Sequence, residues 1–83
     1  MTLYFVNGSK QRKELIESDY AEDIIDVMLD FFEEHSRFPH ILEYVRCKEG
    51  AQIMLGHSAE HFYIEDIGED AEAEINEWIN SLQ

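Results

Sequence analysis

The chain has 83 residues and a formal charge of −13, from six Lys and Arg against nineteen Asp and Glu. That length holds one domain, 1–83, with a small core and modest stability, and an apolar fraction of 45% is too high for a disordered acidic tail. The charge argues against direct binding of nucleic acid or anionic membrane, the single Cys47 excludes an internal disulfide framework, and no apolar run reaches the length of a membrane span. The opening MTLYFVNGSK has neither the basic start nor the small-residue cleavage site of a secretory signal. With a lone cysteine, the expected setting is the cytoplasm.

The charge is unevenly placed. Residues 1–13 carry Lys10, Arg12 and Lys13 and no acids, whereas 14–36 carry nine acids and no bases. Residues 37–59 are nearly balanced, with Arg37, Arg46 and Lys48 against Glu43 and Glu49, and 60–83 carry eight acids and no bases. Both acidic blocks contain regularly spaced apolar residues, which solvated tails lack.

In chain order, TLYFV at 2–6 is rich in β-branched and aromatic residues and predicts a strand. Asn7-Gly8-Ser9 is a tight-turn signal, and 11–16 predicts the returning strand of a hairpin. Ser18 and Asp19 are candidate helix N-caps. Asp19 is favoured because Glu22 follows at capping-box spacing. A helix is expected over 20–35. On a wheel of 100° per residue, Tyr20, Ile24, Ile25, Val27, Met28, Leu29, Phe31 and Phe32 fill one side. Asp19, Glu22, Asp23, Asp26, Asp30, Glu33 and Glu34 cluster within about 60° of one another's mean direction on the other. Pro39 ends this helix.

Strands are expected at 41–48, at 52–55 after a turn at Glu49-Gly50, and at 61–65, forming a meander. A second amphipathic helix is expected over 69–82, burying Ala71, Ile75, Trp78, Ile79 and Leu82, with Glu69, Asp70 and Glu72 in the first turn, where the helix dipole favours them. The order ββαβββα predicts an α+β fold: a small antiparallel sheet with both helices on one face, the opposite-face packing remaining open. Phe5 and Phe62 are expected in the core. Tyr4, Tyr44 and Tyr63 are expected on the uncovered face with Arg46 and Lys48, as a contact surface, a dimer interface or simply a half-exposed polar face.

The acidic stripe is the candidate site. From Asp19 to Glu34 it extends about 22 Å at 1.5 Å per residue, roughly one carboxylate per 3–4 Å, close to the phosphate spacing of one B-DNA strand. Asp19/Asp23, Glu22/Asp26, Asp26/Asp30 and Asp30/Glu34 are unfavourable like-charge pairs at i,i+4 that no lysine relieves. The stripe reads either as a solvated face or as a surface for a basic partner.

No catalytic residue, metal site or cofactor is predicted, and the chain reads as a non-enzyme. His57-Ser58-Ala59-Glu60-His61 has the H-x-x-E-H spacing of inverted zinc proteases but runs into a strand rather than lying on a helix. Glu65, Asp66, Glu69 and Asp70 around Gly68 lack the order of a calcium loop. Cys47 has no His or Asn that can be placed beside it as in a thiol enzyme.

The order LYFVNGS, an acidic amphipathic helix, and a strand pair ending in IMLGHSAEHFYIED resembles small proteins encoded by phages and prophages of Gram-positive bacteria, a family without an agreed activity. The resemblance covers most of residues 2–65, with Gly-His-Ser in place of Gly-Ser-His and His61 in place of an aromatic. It implies a setting, the bacterial cytoplasm during infection or lysogeny, and no site residues. The resulting expectation is a non-enzymatic, DNA-mimic-like inhibitor or modulator of a basic, nucleic-acid-binding protein of host or phage. The alternative is a homo-oligomeric assembly module that uses the open sheet face and the Trp78 helix, its acidic face serving only solubility.

Overall fold

The computed structural model describes residues 1–35, 42–56 and 59–82. Seven elements follow in the order β1 (Thr2–Val6), β2 (Arg12–Glu17), α1 (Ala21–Glu34), β3 (Leu42–Cys47), β4 (Gly50–Leu55), β5 (His61–Glu65) and α2 (Glu69–Ser81). The strands form one antiparallel sheet in the order β2-β1-β5-β4-β3, so the N-terminal hairpin docks on the last strand of the meander.

The register fixes the faces. Phe5 lies opposite Phe62, Phe62 opposite Ile53 and Ile53 opposite Tyr44, while Leu3 lies opposite Ile64 and Ile64 opposite Ala51. Side chains directly opposite one another in an antiparallel ladder share a face, and this face is the apolar one. Ile24, Met28, Phe31 and Phe32 of α1 and Ile75 and Ile79 of α2 join Leu3, Ala51, Ile53, Phe62 and Ile64 in one buried cluster. Both helices therefore cover the same side. An aromatic group centres the α1 half: Phe31 sits 4.5 Å from Phe5 and 5.3 Å from Phe62 between ring centroids, and Phe32 sits 5.6 Å from Phe62.

Several local details depart from the sequence reading. The Asn7-Gly8 turn is wider than a two-residue hairpin. Asn7 Oδ1 accepts from the Ser9 and Gln11 amides, and Lys10 takes the left-handed conformation at φ 63°. The turn between β3 and β4 is Lys48-Glu49, and Gly50 already belongs to β4. Asp19 does not cap α1. The cap position is Tyr20, in extended conformation, while Ser18 Oγ accepts from the Tyr20 amide and donates to Asp23 Oδ2 at 2.6 Å. Because Tyr20 lies outside the helix, it leaves the apolar wheel and is 67% exposed. Leu82 is exposed for the same reason at the other end of α2, as the C-cap residue.

The tyrosine face is also redrawn. Tyr4 and Tyr63 lie away from the helices, as expected. Tyr44 and Arg46 lie on the helix side instead, because Tyr44 pairs with Ile53 and Arg46 with Ala51, both core residues. The cation on the tyrosine face is Arg12, 5.6 Å from the Tyr4 ring and 4.7 Å from the Tyr63 ring. It covers the two rings, and Tyr63 is buried although both helices lie on the other face.

Candidate functional site

The α1 stripe begins where β2 hands the chain to the helix layer. Met28, Ile24, Phe31 and Phe32 anchor one side of α1 in the core, and 3.6-residue periodicity turns the intervening acids outward. Glu22, Asp26, Asp30, Glu33 and Glu34 are exposed. They share one face over about 18 Å from Glu22 to Glu34. Asp19 is exposed too, but precedes the helix, so the regular part of the stripe is one turn shorter than the sequence implied. Asp23 is half-buried and engaged by the Ser18 hydroxyl, a local structural contact that leaves it less available than its neighbours. Among the described residues, none of these carboxylates lies within ion-pair distance of a Lys or Arg.

The fold brings a second set of acids to the first. β2 and β5 finish at the same end of the sheet, since Thr2 pairs with both Glu17 and Glu65. Each is followed by a helix, so the two helix N-termini lie together. A shallow cleft between them is lined by Asp19, Tyr20, Glu22, Asp70 and Glu74, and a neighbouring depression by Asp19, Asp66, Glu69 and Asp70. The helical layer thus presents α2 carboxylates beside those of α1. In the sequence, the helix dipole alone accounts for Glu69 and Asp70, and nothing local places them at the stripe. Their signal, the i,i+4 pair Asp70/Glu74, was in the sequence, but which helix end they faced depended on the strand order.

Among the described residues, Glu72 is the α2 acid that is used within the fold. Glu72 Oε2 accepts from Tyr44 Oη at 2.5 Å and from Arg46 Nη1 at 2.8 Å. The Tyr44 hydrogen bond, then Arg46, holds the Glu72 carboxyl below the usual range, against partial desolvation. Burial and the Glu72 contact push the Tyr44 hydroxyl up to about 12. This trio ties α2 to β3 and is structural.

Of the other motifs, His57 and Ser58 of the H-x-x-E-H run lie outside the described residues. His61 is in β5, half-buried, with Nδ1 3.4 Å from the Ala59 carbonyl. Among the described residues, no three His, Cys, Asp or Glu side chains are grouped to hold a metal ion. Cys47 is a free, half-buried thiol on β3. Among the described residues, no helix is long and apolar enough to cross a membrane. No family model, curated protein or solved structure matches this chain.

Proposed function

We propose that this domain binds a basic protein surface, of the kind that holds nucleic acid, through the acidic face of α1 and competes there with the phosphate backbone. The observation that supports this is the row of exposed carboxylates on α1, Glu22, Asp26, Asp30, Glu33 and Glu34, with no cationic neighbour among the described residues. A helix evolved for solubility alone interleaves lysine at i,i+4 and gains a few tenths of a kcal/mol per pair. Here neither helix contains a Lys or Arg. Asp19 and the adjoining Asp70 and Glu74 widen the face, and exposed Tyr20 offers a ring to a partner cation. The domain is non-enzymatic on this reading. Its setting, following the likeness to phage and prophage proteins, is the cytoplasm of a bacterial host.

The test is capture from a bacterial lysate on immobilised domain, with an Asp26→Lys/Asp30→Lys double variant as control. The reading expects a nucleic-acid-binding protein that elutes with rising salt, is displaced by duplex DNA, and is lost from the variant. Salt-independent retention, or equal capture by the variant, overturns it.

A further inference from the structure

The two edges of the sheet are built differently. β2 exposes Arg12, Lys13, Glu14 and Glu17, and its pairing with β1 is irregular between Leu3 and Tyr4. Charges and a register break are devices that keep an edge from pairing further. β3 has neither device to that degree. From Glu43 to Cys47 its ladder partner among the described residues is β4. Its Arg46 guanidinium is turned onto Glu72. Val45, on the face away from the helices, is 38% exposed, among the described residues the one large apolar side chain so exposed within a strand.

The outward groups of β3 follow from the hairpin. Cys47 and Gly50 flank the two-residue turn Lys48-Glu49. The main-chain groups of Glu43, Val45 and Cys47 are therefore spent on β4, and those of Tyr44 and Arg46 point to the outer edge.

We propose that this edge pairs with the β3 edge of a second copy of the chain, antiparallel about a two-fold axis through Val45, making one continuous sheet from two. A two-fold axis perpendicular to a sheet keeps each face on its own side, so odd residues meet odd and even meet even. Centring on Glu43 or on Arg46 opposes like charges. Centring on Tyr44 sets Val45 against Glu43. Centring on Val45 sets Val45 against itself, Glu43 against Cys47 and Tyr44 against Arg46, and no like charges meet. The Val45 pair then occupies the non-hydrogen-bonded position, where facing side chains approach most closely. Tyr44 and Arg46 exchange the edge hydrogen bonds, and the ring lies beside the second copy's guanidinium. This strip is also not acidic: residues 42–48 hold Arg46 and Lys48 against Glu43 in a molecule of charge −13. Both helical layers emerge on the same side of the joined sheet, so the acidic face is doubled.

Sedimentation velocity of the full chain across concentration, at low and at high salt, tests the pairing. A dimer that strengthens with salt is expected, because screening relieves repulsion between two acidic bodies beyond the Debye length. Binding of a basic partner has the opposite salt dependence, so the two readings fail separately. Val45→Lys sets like charges face to face at the axis and should weaken the dimer about tenfold or more, with the circular-dichroism spectrum unchanged. Asp26→Lys/Asp30→Lys should leave it intact. Val45→Cys with Cys47→Ser should give a single disulfide-linked dimer on mild oxidation, whereas Glu14→Cys with Cys47→Ser should not. A monomer at every salt and concentration, a dimer indifferent to Val45→Lys, or no cross-link at position 45 overturns the proposal.

Discussion

Tyr44, Arg46 and Glu72 show how a single register decides a residue's role. In the sequence, Tyr44 and Arg46 look like members of an open contact face. In the structure they reach across the sheet edge to α2, where one Glu72 oxygen takes both donors. Replacing Tyr44 with Phe keeps the ring in the core margin and removes the hydroxyl. The expected cost is about 1 kcal/mol in denaturant unfolding, the usual net worth of such a bond. The pH dependence has a definite sign. Glu72 is held below its ordinary value in the fold, so its contribution is present above the unfolded value and is lost as pH falls through the folded one. Acid titration of stability in Glu72→Gln should accordingly lack part of the acid limb seen in the parent.

Gly50 is a second case at this scale. Its letter reads as a turn residue, yet it sits in β4, opposite Glu65, with its α-carbon against β5. A β-carbon there would collide with the Ile64 carbonyl oxygen, which is main chain and has no free rotamer to move away. Gly50→Ala should therefore cost about 3 kcal/mol, at the upper end for overpacking, read as a lower denaturant midpoint. Gly68, with open space around it, should tolerate the same change. No sequence pattern separates these two glycines, because the obstruction comes from a strand fourteen residues away.

At the scale of elements, α1 is well specified on one side and poorly adapted on the other. Ile24, Met28, Phe31 and Phe32 at helical spacing make it legible as a helix without any tertiary information. Its first turn carries Glu22 and Asp23, which the helix dipole favours, and its last turn carries no base. Glu33 and Glu34 thus sit where the dipole penalises them. Among the described residues, His35 favours that end, its Nδ1 2.9 Å from the Phe31 carbonyl and its ring stacked on Phe31. Glu33→Lys/Glu34→Lys should stabilise the domain by about 1 kcal/mol in thermal or chemical unfolding. The same variant should weaken capture of a basic partner. A gain in stability coupled to a loss of binding is the pattern expected where acids are kept for contact rather than for folding.

The whole molecule carries its charge on a compact body with principal extents of 28 × 27 × 21 Å. At −13 this body repels itself, and the repulsion is screened by salt. The melting temperature should rise by a few degrees from low to moderate sodium chloride, while partner binding through α1 weakens over the same range. A melting temperature that falls with salt would mean that internal ion pairs, such as Arg46 with Glu72, outweigh the general repulsion.

The sequence by itself determined the seven elements, their order and the α+β class, because apolar periodicity and turn residues are local properties of the chain. It also determined the acidic side of α1, since a helix converts spacing into a face without reference to anything else. The tertiary structure alone decided what lies next to what. Pairing β1 with β5 put both helix N-termini at one end of the sheet and brought Asp70 and Glu74 to Asp19 and Glu22, while the β3–β4 register turned Tyr44 and Arg46 toward α2. A strand's two faces are equivalent until its neighbours choose one, and that choice rests on burial summed over the whole sheet.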